Sequence, residues 1–569
     1  MSGARGCHYL HRWLKLKTSA VAGIPVDAMI EPRVGNSLKT SAGPSINRPV
    51  VMGYLGVVAI FIWIFCQFYL PGKGFTYLIN FGSRNEQASL SKLQKLEHYV
   101  DRHSDGYDAQ YYAQIALDPS LRNTQLRRAV DDLPYRARRI LLPATAWVLG
   151  LGHSAWILQA YALQNALCWF LLAWLSLRWF PPTSWSHFIR WAGVMFSLGL
   201  CASVRNALLD GPSLLLIALG VLLVEKNRPW LATIIFALSG LGKETNLLGS
   251  SALLPAKPLE WKGWGAVILR GSLTAAPLLL WIAYLYVHFG PVLAVGSRNF
   301  TLPFSAYVHK WQETLTVLPR TTFKYLHPLA NLTMLIAVAV QFIYLVMRPQ
   351  WHQAWWRIGA TFAVLLMFLG DAVWEGEPSA ASRVLLPMQF AFNVLVPSGR
   401  WWVPVLLLGN LTLLTGHITL DSIANEGYEF KGDRALRRNS AGQIATINFS
   451  EKWYAIEHDG TRYWMWSPGN NELVIYNPQP QSLRVQLAFN ISAVGARRVA
   501  VQFKGAEIWH AVLEDQDTAS ANLANLVLAS GDNSFEFITD IPGATVGPDP
   551  RPLAFNLGNL QVHLMGKAP

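Results

Sequence analysis

Residues 104–143 read SDGYDAQYYAQIALDPSLRNTQLRRAVDDLPYRARRILLP. The stretch is polar, aromatic and rich in charge, and strongly apolar sequence flanks it on both sides. Asp105 and Asp108 stand at its head. Tyr107, Asp108, Tyr111, Tyr112 and Ile115 follow the three- and four-residue spacing of one helix face. The plain reading of the two acids is capping: a carboxylate before a helix accepts hydrogen bonds from the first turn and suits the positive end of its dipole. What else they do depends on where this stretch lies in the molecule.

Composition places it in a membrane protein. Of 569 residues, 52% are hydrophobic and only 14% charged, too apolar for an ordinary soluble enzyme. The net charge of +13 comes from short Lys/Arg clusters set between apolar runs, which fits membrane topology better than a basic groove for nucleic acid. Cys7 lies in the N-terminal tail and Cys66, Cys168 and Cys201 in apolar runs, so neither a disulfide framework nor a zinc site is indicated.

Residues 1–49 carry many Lys and Arg with few acids, and read as a cytoplasmic basic tail. Val50–Leu70 is long enough to cross a bilayer, which puts 72–139, and with it most of the opening stretch, outside. Ile140–Leu151 is short and broken by Pro143, so it reads as an interfacial or re-entrant helix. Further crossings are expected near 157–177, 191–204, 211–224 and 230–241, followed by a short return segment. Others follow near 266–289, 329–346, 358–374, 384–397 and 403–420. The total is about eleven crossings, several shorter than the ~20 residues of an ideal span. Under this topology Asp210, Glu244, Asp371, Glu375 and Glu377 all fall on the same outer side as Asp105 and Asp108.

From residue 421 the pattern changes to short strands such as QIATINF, ELVIYN and SLRVQLAF between turn residues. The expected fold is therefore an α-helical polytopic membrane domain over 50–420, with an external β-sandwich or jelly-roll domain over 421–569. A helix is conceivable only around Thr518–Asn525. Trp453, Tyr463, Trp464, Trp466 and Trp509 offer stacking faces to sugar rings, although such residues more often form sandwich core.

The run GYDAQYYAQIA followed by YRARRILLP resembles the first lumenal loop of the GT-C superfamily of membrane glycosyltransferases, most closely bacterial members with a YDGQ-aromatic-Tyr-x-x-IA … YR-x-x-R-I-L-x-P pattern. It is more distantly similar to the mannosyltransferases of GPI-anchor synthesis. Ala109 stands where Gly is usual. The resemblance covers roughly 50–420 and implies a polyprenyl-phosphate-linked sugar donor and a glycan, lipid or protein acceptor. It also implies a bacterial inner-membrane location, with a cytoplasmic N-terminus and a periplasmic C-terminal domain. Asp108 matches the loop's catalytic acid and would be the general base. Asp105 would orient the acceptor, bind a divalent cation (Mg or Mn) with Asp108, or only cap the helix.

Arg383, ahead of LLP, resembles the family's late R-x-x-x-P element and is the first candidate for the donor phosphate, followed by Lys243, Arg205 and Arg139. Gln110, Tyr111, Asp210 and Glu244 complete the candidate substrate-binding set. Each cation has an ordinary alternative, snorkelling to headgroups or pairing with a nearby acid. The basic run Arg127, Arg128, Arg136, Arg138 and Arg139 hints at anionic lipid. No Walker A loop or dinucleotide fingerprint is present, which agrees with a lipid-linked rather than a nucleotide-linked donor. The competing readings are a transporter or flippase for a glycan or lipid-linked substrate, with charges along a midplane path, and a non-catalytic glycan-binding scaffold.

Overall fold

The computed structural model describes residues 47–567 apart from 71, 83–84, 86–87, 102–104, 258–262, 291–296, 319–326, 376–379, 421–433, 440, 442, 455–456, 459–462, 516 and 546–548. The basic tail up to 46, Ser104 and Glu377 lie outside the described residues.

Four described helices are long and apolar enough to cross a membrane: Arg48–Cys66, Ser154–Ser176, Trp264–Phe289 and Pro328–Met347. A fifth span results if Trp185–Met195 and Leu198–Arg205, which meet at 43°, are taken together. The bend has a local cause. Ser197 is extended, and its hydroxyl accepts the Leu200 N–H at 3.3 Å, so it caps a new helix instead of continuing the old one.

The other expected crossings are shorter than a full span. Asp210–Glu225 has 16 residues, Pro229–Gly242 14, Ala354–Phe368 15 and Leu386–Leu395 10. The last, expected over 403–420, breaks into Val403–Gly409, a 3-10 turn Leu411–Leu413 and Gly416–Thr419. Asn410 sits at the first break and exchanges side-chain hydrogen bonds with Asn393 at 2.8 and 2.9 Å. The expected return segment after 241 is a 3-10 run, Glu244–Leu253. Thus the described helices give four or five full-length spans where about eleven crossings were expected, the remainder being short apolar helices. Such pieces are tolerated at membrane depth because they are surrounded by protein. Leu386–Leu395 is buried at nearly every position.

The expected external loop is wound around one helix, Ala109–Leu117, buried on almost every side. Two glutamines one turn apart fasten it. Gln110 accepts the Gly82 N–H at 3.2 Å and donates to the Asp105 carbonyl at 2.6 Å. Gln114 accepts the Leu90 N–H and donates to the Ala129 carbonyl, both at 2.9 Å. Gly106 enters the helix at φ 73°, and a Cβ there would stand 2.5 Å from the Gly82 nitrogen, so only glycine fits. Ile140–Leu151, expected as a short interfacial helix, forms the nine-residue helix Leu141–Leu149.

The C-terminal part is a β-sandwich. A six-stranded sheet runs in the order Ala506–Leu513, Arg497–Phe503, Gly531–Thr539, Asn471–Asn477, Ile444–Phe449, Arg434–Arg438. A five-stranded sheet runs Thr518–Leu528, Leu483–Ala493, Phe555–Lys567, Tyr463–Ser467, Glu457–His458. All the pairings are antiparallel, and the inner faces share one core. Strict alternation of burial along Leu483–Ala493 is the two-residue period that marked these strands in the sequence. Thr518–Asn525 is strand and not helix, because it pairs with Leu483–Ala493 from Thr518 opposite Ser492 onward. Trp453 is core, edge-on to Phe449, Phe537 and Phe555. The sandwich touches the membrane half through Lys73 over the Tyr476 ring at 4.2 Å and a small cluster of Leu70, Tyr99 and Ile444.

Candidate active site

A cavity of about 400 Å³ lies where the loop helix, the turn after it and the ends of several short helices meet. Of the candidate residues, Asp108, Arg139, Asp210, Lys243, Glu244 and Arg383 line it. Asp105, Gln110, Tyr111 and Arg205 are not among its lining residues.

Asp108 occupies the N-cap position of Ala109–Leu117 but makes no capping hydrogen bond. Its carboxylate instead faces Arg136 at 3.0 Å, with the Asp108 side chain 42% exposed and that of Arg136 only 10%. Arg136 is held in turn by Asp131, through Nε at 3.0 Å and Nη2 at 2.7 Å. Asp132 caps the short helix Leu133–Ala137 by accepting the Tyr135 N–H at 2.9 Å, which fixes the turn that presents Tyr135, Arg136, Arg138 and Arg139. Burial pushes the Asp108 carboxyl up. Arg136, then Arg383 and Arg139, outweigh burial and hold it below the ordinary carboxylate value.

The remaining charges interlock. Arg139 donates to Glu244 at 2.9 Å, to the Tyr112 hydroxyl at 2.6 Å and to the Tyr135 hydroxyl at 3.1 Å. Asp210 accepts from Lys243, which follows Pro229–Gly242, and from Arg383 at 3.3 Å. Arg383 also donates to the Tyr107 hydroxyl at 3.3 Å. Arg138 lines the cavity with no ion pair among the described residues. The lining thus carries the four cations Arg138, Arg139, Lys243 and Arg383 against the three carboxylates Asp108, Asp210 and Glu244. Leu208, Leu365, Leu369, Val384 and Phe300 belong to the same lining, so the cavity combines charged and apolar surface.

The four candidates outside the lining have other employment. Gln110 is buried and ties the loop together. Tyr111 lies under the Arg136 guanidinium, 5.0 Å from its ring centroid. Arg205 stacks on Tyr77 at 4.1 Å and Phe68 at 5.5 Å. Asp105 is exposed, and its carbonyl, not its carboxylate, receives Gln110 and Asn85. Of the two acids, Asp108 faces Arg136 and lines the cavity, while Asp105 is not among its lining residues. Among the described residues no three His, Cys, Asp or Glu gather as a metal group.

Several residues of the site were not among the sequence candidates. Arg138, Tyr112 and Tyr135 of the lining, and Arg136 beside Asp108, stood inside the quoted motif, where spacing alone does not say which arginine faces a carboxylate. Asn299 and Phe300 carried no local signal; they arrive by pairing with the chain at Phe368–Gly370, where Gly370 donates to the Asn299 carbonyl at 2.7 Å. Asp371 and Glu375 follow directly, with His309 3.4 Å from Asp371 and Arg298 bonded to Glu375.

No protein-family model matches the chain, and no curated protein does. Solved structures show remote likeness. The arabinosyltransferase EmbB from Mycobacterium smegmatis is 10% identical over 94% of this chain and 66% of its own, with a TM-score of 0.29. A GH26-CBM35 β-(1,4)-mannanase from Podospora anserina is 11% identical over 26% of this chain and 29% of its own, at 0.15. A family 43 arabinoxylan arabinofuranohydrolase from Bacillus subtilis is 8% identical over 24% and 41%, at 0.13. None of the three assigns the chain to a family.

Proposed function

We propose that the protein is an integral membrane glycosyltransferase of the GT-C type. It would transfer a hexose or pentose from a polyprenyl-phosphate donor to an extracytoplasmic glycan, lipid or protein. The observation that carries this reading is the cavity lining, which combines the carboxylate Asp108 with Arg138, Arg139, Lys243 and Arg383 and with the apolar Leu208, Leu365, Leu369, Val384 and Phe300. An anionic phosphate with a lipid tail and a sugar head matches that mixed lining.

The acceptor oxygen forms a bond to the sugar C1 and its proton passes to an Asp108 oxygen. The bond from C1 to the phosphate oxygen breaks, and its electron pair leaves on the polyprenyl phosphate. Arg383, Lys243 and Arg139 are fixed by Asp210, Glu244 and the tyrosines, so they can stabilise that charge without rearranging. The lowered pKa of Asp108 keeps it ionised and makes it a weak base, so the proton moves late, after attack is well advanced. Arg136 positions the carboxylate.

The test uses purified protein in lipid with a set of polyprenyl-phosphate sugars. Asp108→Asn keeps the shape and is expected to lower transfer about 10²- to 10⁴-fold. Full transfer by that variant would remove Asp108 from the base role. Uptake of substrate into sealed vesicles without any glycosidic product would replace this reading with that of a transporter.

A further inference from the structure

The end of the helix bundle away from the cavity carries a second, unassigned cluster. Ala354–Phe368 brings Leu365 and Leu369 to the cavity at its far end, and its near end begins just after Arg348. Leu386–Leu395 starts beside Arg383 and runs the other way toward Arg400. Arg348 and Arg400 are therefore separated from the cavity by the length of these helices, about 15 to 20 Å at 1.5 Å per residue.

Both arginines are exposed and each lies over a tryptophan, Arg348 over Trp402 and Arg400 over Trp401, at 5.0 Å in each case. Among the described residues no carboxylate pairs with either. Other arginines at this end are used inward. Arg190 donates to the Asn393 and Pro397 carbonyls, and Arg357 to those of Ser251, Ala252 and Trp351. Arg348 and Arg400 have no such duty.

Two helices next to them expose apolar residues. Ile343, Val346 and Met347 are 58, 56 and 72% exposed on one helix, and Val403, Leu407 and Leu408 are 45, 48 and 44% exposed on the next. Gln341 donates to the Gly409 carbonyl at 2.7 Å and Tyr344 meets Trp402 edge-on at 5.8 Å, so the two helices lie side by side. Trp401, 80% exposed, stands at the border. Aromatic belts and snorkelling cations occur on many membrane proteins. Two guanidiniums without a carboxylate partner among the described residues, on consecutive indoles beside exposed apolar residues, ask for more than a belt: a headgroup with negative charge and two hydrocarbon tails.

We propose that Arg348, Arg400, Trp401 and Trp402 bind the headgroup of an anionic phospholipid, whose acyl chains lie along the faces of His327–Met347 and Val403–Gly409. The full chain, released from membranes in mild detergent, is tested by native mass spectrometry with phosphatidylglycerol and with phosphatidylcholine. The native chain is expected to retain phosphatidylglycerol preferentially. The R348Q/R400Q pair is expected to lower that retention about thirtyfold, since each cation at an anionic lipid surface is worth roughly a factor of five. K226Q/R228Q removes equal charge elsewhere and is expected to leave retention unchanged. Equal retention of both lipids by the native chain, or equal losses in the two double variants, overturns the site. Should the glutamine pair fail to fold, Trp401→Leu removes one stacking plane alone and is expected to weaken retention about threefold. Unchanged retention there overturns the site as well.

Discussion

Arg136 stands between two carboxylates, gripping Asp131 with two hydrogen bonds and reaching Asp108 with the same Nη2 at 3.0 Å. Its removal separates positioning from chemistry. Without Arg136, burial is opposed only by the more distant Arg383 and Arg139, so the Asp108 pKa should rise. The ion pair now contributes above the ordinary carboxylate value of about 3.9 and is lost as pH falls through the lowered one. Arg136→Gln should therefore move the acid limb of the pH–rate profile to higher pH. A limb that stays in place would mean that Asp108 does not report on this pair. Asp108 itself was legible in the motif. Its partner was not, because Arg136, Arg138 and Arg139 look alike in sequence, and only the Asp132 cap and the turn it starts decide which guanidinium reaches which acid. Gln110 shows the converse: a polar residue within the motif, buried and fully used in holding the loop.

At the level of elements, the cavity depends on close backbone contact. A Cβ on Gly199, in the second half of the bent pair, would stand 2.3 Å from the Ser382 carbonyl oxygen and 2.9 Å from the Arg383 nitrogen. Backbone cannot yield as a side-chain tip can, so Gly199→Ala should push the Arg383 segment outward at a cost of about 1–3 kcal/mol. On the proposed function its main effect is expected in kcat/KM for the donor, about 10- to 100-fold, because a shift near 1 Å in a group proposed to hold the phosphate is enough for that. Native kinetics in Gly199→Ala would show that Arg383 is not placed by this contact. The same kind of packing explains what hydropathy read well and what it read badly. Apolar runs were located within a few residues, since any helix core is apolar. Whether Asp210–Glu225 and Leu386–Leu395 are spans could not be read from hydropathy, because a helix buried in protein and one bathed in lipid have the same composition.

Across the whole molecule there are two separate cores, one in the helices and one in the sandwich, joined at Lys73–Tyr476 and at Leu70, Tyr99 and Ile444. The strands were legible from their two-residue alternation. The joint was not, since it brings residues near 70, 99, 444 and 476 together and none carries a local signal. Because the sandwich has a core of its own, it can lose stability without taking the helices with it. Trp453 is the residue that tests this. It is 6% exposed, meets three Phe rings edge-on and donates its indole N–H to the Glu472 carbonyl at 2.9 Å. Trp453→Ala should cost the sandwich about 3–5 kcal/mol. For a domain of this size that corresponds to a fall of roughly 10 °C in its melting transition. Calorimetry of the detergent-solubilised chain should then show two transitions, the lower one moved and the upper one in place, with proteolysis confined to the C-terminal part. One transition that moves as a whole would mean that the joint couples the two cores into one cooperative unit.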